Sequence, residues 1–278
     1  MAIDLVSKYL PYVDELLTSE SKRSLLTNQA FDWDGAHSVK IYTVGHSAMT
    51  DYGRDGPAAG NWSRYGAVAG LDATVKELAL TKDRSFTFAI DKMDADETAG
   101  QLAAASALAR QLREVTIPEI DAYTYGVMCA GAGTKATAAA LTKENIYSEI
   151  LKGSEALDTA LVPETGRVLL VTPAVYTMMK LSSDIVMETD IGNDSRLKGV
   201  ISMLDGLSVV KVPAVRLPEK FGFMIAHPCA TVAPVKLSEY KTHQDPPGIS
   251  GSLVEGRIVY DAFVLDNKKM AIYYQATT

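Results

Sequence analysis

The chain has 278 residues, of which 47% are hydrophobic and 22% charged, and a formal net charge of −7. That is enough for one large domain or two modest ones with a real core. The acidic balance excludes a protein that coats nucleic acid by counter-ion release, which needs a basic stripe. Two cysteines, Cys129 and Cys229, exclude a disulfide framework and make a reducing compartment the default. The start, Met-Ala-Ile-Asp-Leu-Val-Ser-Lys, lacks the pattern of a signal peptide, and no apolar run approaches the ~20 residues that span a bilayer. The expectation is a soluble protein made in the cytoplasm, with no membrane partner. Asn61-Trp-Ser63 then reads as a chance match to a glycosylation triplet.

Residues 1–35 form an extension. A short amphipathic piece (Leu5, Tyr9, Tyr12, Leu16, Leu17) is interrupted by Pro11, and polar residues lead on to Phe31 and Trp33. Residues 38–44 read as a strand. Residues 73–90 return as another, with Leu78, Leu80, Phe86, Phe88 and Ile90 on one parity. Between them lies a tip, 45–72, carrying six glycines together with Tyr52, Arg54, Trp62, Arg64 and Tyr65. A structureless loop of this length is uncommon in a compact domain. Tyr, Trp and Arg dominate interface energetics, so these five residues point to a surface that meets another chain. The competing reading is an Ω-type loop whose aromatics pack on one another.

Asp94-Ala-Asp-Glu97 opens a long helix, with Leu102, Ala105, Leu108, Leu112 and Val115 as its apolar stripe. Pro118 is expected to kink it, and the pattern resumes with Ile120, Tyr123 and Val127. Residues 130–140, rich in Ala and Gly, read as a small-residue connection. A second helix is expected over 142–161, with Ile146, Ile150, Leu157 and Leu161 on one face. Arg167-Val-Leu-Leu-Val-Thr172 followed by Pro173 fits a buried strand entering a helix, with Thr172 as cap and Pro173 at the first helical position. Strands follow at 199–204 and 207–213 around the turn dipeptide Asp205-Gly206, and at 222–226. Residues 257–265 and 270–274 flank Asp266-Asn267-Lys268-Lys269 and read as a hairpin.

Signals for chemistry are weak. There is no phosphate-binding loop, no paired-cysteine zinc pattern and no His-Glu-x-x-His. Gly248-Ile-Ser-Gly251 matches a nucleophile elbow only loosely. His227-Pro-Cys229 is the best candidate for a reactive thiol, against the favoured reading of an ordinary buried Cys. His37 and His46 lack support at ligand spacing. The acidic stretch Asp184, Glu188, Asp190 and Asp194 lacks the alternation of a calcium loop. No catalytic, metal-binding or cofactor-binding residue is expected, and no cofactor.

The order of elements carries a resemblance. An N-terminal arm, a long two-stranded loop, a spine helix, a mixed α/β region and a strand-rich end follow one another. The segments Val168–Lys180, Gly199–Pro213 and Val254–Leu265 match in kind and order. The chain resembles the major capsid protein of tailed bacteriophages, of the Hong Kong 97 type, over nearly its whole length.

The resemblance implies an α+β shell fold with residues 1–35 as N-arm and 36–92 as extended loop. It implies a peripheral domain from 93–134 and 256–278, and an axial domain from 135–255. It implies hexamers and pentamers of an icosahedral shell around a double-stranded DNA genome, assembled in the host cytoplasm. The implied partners are the chain itself, a separate scaffolding protein, a portal, and packaged DNA held without specific binding. Some relatives weld subunits through a loop lysine. Residues 41–75 contain no lysine, so the grip of Tyr52, Arg54, Trp62, Arg64 and Tyr65 is expected to be noncovalent. The alternatives are an encapsulin-like nanocompartment shell, or a soluble hydrolase using Cys229 or Ser250.

Overall fold

The computed structural model describes residues 20–28, 38–45, 47–57, 60, 62–68, 70, 73–93, 104–182 and 200–278. The amphipathic piece at Leu5–Leu17, the Asp94–Glu97 cap, His37, His46 and the acidic residues 184–194 lie outside them. The chain divides into two compact units, Trp33–Leu80 and the remainder.

The larger unit is built on a six-stranded mixed sheet of order β4-β13-β8-β5-β7-β6. Its members are β4 (Thr134–Ala136), β5 (Val168–Val171), β6 (Val200–Leu204), β7 (Leu207–Lys211), β8 (Phe221–Ala226) and β13 (Ile272–Ala276). The central strands β5 and β8 are buried at every position, which is why they read as continuous apolar runs rather than alternating ones. One face of the sheet (Leu170, Val210, Met224, Ile272) packs with Tyr125 and Met128 of the spine helix and with Leu26 of the N-terminal segment. The other (Leu169, Val209, Phe223, Ile225, Tyr273) packs with Ile146, Ile150 and Leu157 and with Val175 and Met179. The core is thus two layers of side chains, one on each side of the sheet.

The strand-to-helix entry is as expected. Thr172 Oγ1 accepts from the Val175 N–H at 3.2 Å, and Pro173 opens the helix Pro173–Leu181. Asp205 and Gly206 make the β6–β7 turn with φ of 46° and 76°, the positive pair that a tight hairpin needs.

The spine helix runs without a break as α1 (Ala104–Gln111), a π-turn (Leu112–Thr116) and α2 (Ile117–Gly131). The expected disruption at Pro118 takes the form of this π-turn, with the Ile117 N–H bonded to the Leu112 carbonyl. Pro118 has no N–H to give, and its ring crowds the carbonyl four residues back; a wider turn relieves both. The extra residue also rotates the buried stripe by one position. Thr116, Ile120, Thr124 and Met128 face inward, whereas Val115, expected in the stripe, is exposed.

One helix serves two sheets. Past its π-turn, Ile120 and Tyr123 pack on Ile258 and Tyr260 of a three-stranded sheet of order β10 (Val235–Gln244), β11 (Gly251–Tyr260), β3 (Lys82–Asp91), while Tyr125 and Met128 reach the six-stranded core. Asp121 makes a buried ion pair with Arg216 at 3.0 Å and accepts from the Ser21 hydroxyl at 2.6 Å. Burial pushes its carboxyl above the ordinary value, against the Ser21 hydrogen bond and the arginine charge. The described part of the N-terminal segment is therefore fastened to the body at Ser21, at Leu26 and by the Asn28 N–H to Thr231.

Four further expectations are corrected, and one strand is added. The strand expected over 73–90 is two strands, β2 (Ala73–Ala79) and β3 (Lys82–Asp91), in different sheets. The Thr81 N–H goes to Asp261 rather than to a ladder. Within β3 the expected parity is right: Phe86, Phe88 and Ile90 face inward.

The connection 130–140 contains β4, and the Gly133 N–H bonds to the Lys269 carbonyl at 2.9 Å; a Cβ on Gly133 would lie 2.6 Å from that backbone. The second helix, α3 (Ile146–Thr159), ends before Leu161, which is exposed. The closing hairpin does not form. β12 (Phe263–Val264) pairs with β9 (Thr231–Val232), β13 pairs with β8 and β4, and a 3-10 turn at Asp266–Ala271 crosses between them.

The strand β10 (Val235–Gln244) has no clear signal in the sequence, because Tyr240 is its one apolar residue past Leu237. It pairs with β11 (Gly251–Tyr260), which pairs with β3. Gly256 sits across from both Tyr240 and Phe86, whose rings stack at 6.2 Å over it; a Cβ there would collide with the Phe86 ring.

Candidate assembly surface

The smaller unit is an arm. β1 (Ser38–Val44) and β2 pair antiparallel in straight register, from Ser38 with Ala79 to Val44 with Ala73. A two-stranded ribbon of this length is marginal in water by itself. Its tip has internal order. The Gly53 N–H bonds to the Arg64 carbonyl at 2.9 Å, and the Thr50 hydroxyl to the Tyr65 carbonyl at 2.8 Å. Two stretches far apart in the tip, around residues 50–56 and 62–66, are thereby held side by side. Gly56, Gly60 and Gly66 have φ of 139°, 87° and 91°, which is why the tip needs glycine.

The five expected residues all lie on this tip. Tyr52 and Tyr65 meet edge to face with centroids 5.0 Å apart. The Arg64 guanidinium reaches the Arg54 carbonyl at 3.4 Å, and both arginines are exposed. Trp62 is 83% exposed, Tyr65 79% and Tyr52 50%. The two readings of the tip therefore combine: the tyrosines pack on each other, and the pair still presents most of its ring surface outward. Met49, fully exposed, and Val68 add to the apolar surface. Neither stands out in the sequence, because single apolar residues among glycines follow no period.

The candidates for chemistry come to rest in structural roles. His227 Nδ1 accepts from the Cys229 N–H at 3.2 Å, so its proton sits on Nε2, facing the Thr165 carbonyl at 3.1 Å. Neither nitrogen is left to activate a thiol. Burial raises the Cys229 thiol above its ordinary value and pushes Cys129 up to about 12, the opposite of what a nucleophile needs. Ser250 lies in the β10–β11 turn, where its carbonyl accepts from the Lys92 N–H and Asp245 holds Gly251 from both ends. No strand-to-helix elbow exists there. Among the described residues no cluster of His, Cys, Asp or Glu could hold a metal, and no helix is long and apolar enough to cross a membrane.

Residues 72–274 match the family model described as phage capsid protein. The chain belongs to that family. It is similar to a structure from Mycobacterium phage Che8, at 21% identity and TM-score 0.67, covering 99% of this chain and 98% of that one. It is also similar to the capsid structure of cyanophage P-SCSP1u, at 14% identity and TM-score 0.72, covering 99% and 94%. A third similarity is to the mature capsid of bacteriophage PhiM1, at 13% identity and TM-score 0.68, covering 96% and 90%. No curated protein matches. At these identities the likeness establishes the fold, and the α+β shell fold expected from the order of elements is the one found. The protein is a structural subunit that forms a phage capsid shell, a component of the virion and not an enzyme.

Proposed function

We propose that this chain is the major capsid protein of a tailed phage and builds an icosahedral shell of hexamers and pentamers around double-stranded DNA. In this reading residues 1–35 act as N-arm and 36–92 as extended loop. Residues 93–134 and 256–278 form the peripheral domain, and 135–255 the axial domain. The loop tip lies on a neighbouring subunit, gripping it through Tyr52, Arg54, Trp62, Arg64 and Tyr65.

The observation that carries the reading is the arm itself. Trp33–Leu80 is a compact unit of its own, and it ends in a hydrogen-bonded tip that leaves Trp62 and Tyr65 in water. A folded tip that displays large aromatics gains by covering them on another surface. The net charge of −7 keeps free subunits apart before assembly and favours no specific hold on DNA. A separate scaffolding protein and a portal complete the assembly, which takes place in the host cytoplasm.

With no lysine between residues 41 and 75, the grip is noncovalent. Negative-stain micrographs of the purified protein test the reading: uniform shells or capsomer rings are expected, and a denaturing gel of those shells should show single chains. A monodisperse monomer would contradict it. Shells that enclose a protein cargo instead of DNA would make the chain a nanocompartment subunit.

A further inference from the structure

Leu161 occupies a position made for glycine. Helix α3 ends at Thr159, and the Leu161 N–H bonds to the Asp158 carbonyl at 2.9 Å while the Val162 N–H bonds to the Leu157 carbonyl at 3.1 Å. This is the paired bonding of a Schellman turn, whose residue in Leu161's place adopts the left-handed conformation and is usually Gly. Leu161 has φ of 55°. The other non-glycine residues with positive φ among those described are Asp205, Lys220 and Asp245, all polar. A γ-branched side chain in this conformation is disfavoured.

Among the described residues no packing of the Leu161 side chain offsets that cost: the residue is 91% exposed. The apolar contact that accompanies such turns is made by Val162, which packs on the core containing Leu157. The loop beneath it is held firmly. Arg167, itself buried, donates to the Val162 carbonyl at 2.6 Å and the Pro163 carbonyl at 2.9 Å, and pairs with Asp158 at 2.7 Å. The Thr165 carbonyl is held by His227. A leucine presented on a rigid base loses little further freedom when it is covered.

We infer that Leu161 is an intersubunit knob: in the shell its side chain is buried against a second copy of this chain. The occupant is a second copy of the chain, the neighbour that every subunit of a capsid shell has, whatever scaffold or portal it also meets. The inference rests on that shell role but not on the arm. It assigns a contact on the larger unit, remote in sequence from the tip. The leucine's cost to the free subunit is then recovered on assembly.

The test compares full-length wild type with Leu161→Gly, Leu161→Asn and Leu161→Met, reading the melting temperature of unassembled subunit and the fraction sedimenting as shells. Leu161→Gly should melt about 2–4 °C higher, the shift expected for relieving one strained residue in a chain of this size. Its shell fraction should fall at least tenfold at limiting concentration. Leu161→Asn, which keeps a residue tolerant of the conformation but removes the apolar side chain, should lose shells as well. Leu161→Met should retain them. Shells of Leu161→Gly and Leu161→Asn at wild-type yield would overturn the inference, as would a lower melting temperature for Leu161→Gly. A wild-type chain that never sediments as a particle would overturn the shell reading and this inference together, whereas wild-type shells with indifferent variants overturn this inference alone.

Discussion

Asp261 accepts both the backbone N–H and the hydroxyl of Thr81, each at 2.8 Å, across 180 positions of sequence. The same buried carboxylate also accepts from the Tyr123 hydroxyl and from the Ala262 N–H. Thr81 is the first residue of the larger unit after the arm, so this one side chain ties the arm's exit, the spine helix and the end of β11 together. Replacing Asp261 with Ala strands several buried donors at once. It should lower the stability of the free subunit by about 3 kcal/mol or more, and Thr81→Val by about 1 kcal/mol. Urea unfolding of unassembled protein measures both; an Asp261→Ala loss below that of Thr81→Val would contradict the assignment.

The Asp121–Arg216 pair makes a different prediction. Both side chains are almost fully buried, so removing one leaves an uncompensated charge. Asp121→Ala and Arg216→Ala should each cost about 3–5 kcal/mol, while a well-packed apolar pair at both sites should cost less than either single change. Additive losses in a double-mutant cycle would refute the coupling.

Alkaline pH should unfold the subunit. Burial holds the Cys129 thiol protonated up to about 12, against an ordinary value of 9.0. Burial, with help from the Glu119 charge, raises the Tyr260 hydroxyl from 10.0 to about 12, and burial raises Tyr125 as well. Each group binds its proton more tightly folded than unfolded. Their contribution is complete below about pH 9 and is lost as pH rises toward 12. Stability measured by urea midpoint should therefore decline from pH 9 upward, and Cys129 should resist thiol reagents until the chain unfolds. A flat profile from pH 8 to 11 would contradict this.

Much of the frame was legible where a local rule and the tertiary fold agree. Thr172-Pro173 announced its helix, Asp205-Gly206 its turn, and the parity of Phe86, Phe88 and Ile90 its buried face. What was not legible depends on distant partners or on one inserted residue. The break at Thr81 is caused by Asp261, which ends β11 far away in sequence. The π-turn before Pro118 shifts the helix stripe by one position, so Thr116 faces inward where an uninterrupted helical period points to Val115. Asp266–Asn267–Lys268–Lys269 resembled a hairpin turn, yet its flanking strands find better partners in β9 and β8. On the candidate surface, the five tip residues could be named from the sequence because aromatics and arginines stand out among glycines. Leu161 could not, because its significance lies in a backbone angle.

The proposed grip of the arm's tip on a neighbouring subunit is tested most directly by removing the tip. Replacing residues 45–72 with a two-residue turn leaves the ladder from Ser38–Ala79 to Val44–Ala73 and all of the larger unit intact. The expected product is a subunit that is folded by circular dichroism, melts within a few degrees of wild type, and yields no shells by sedimentation or negative stain. Shells of wild-type size and yield from the deletion variant would contradict it.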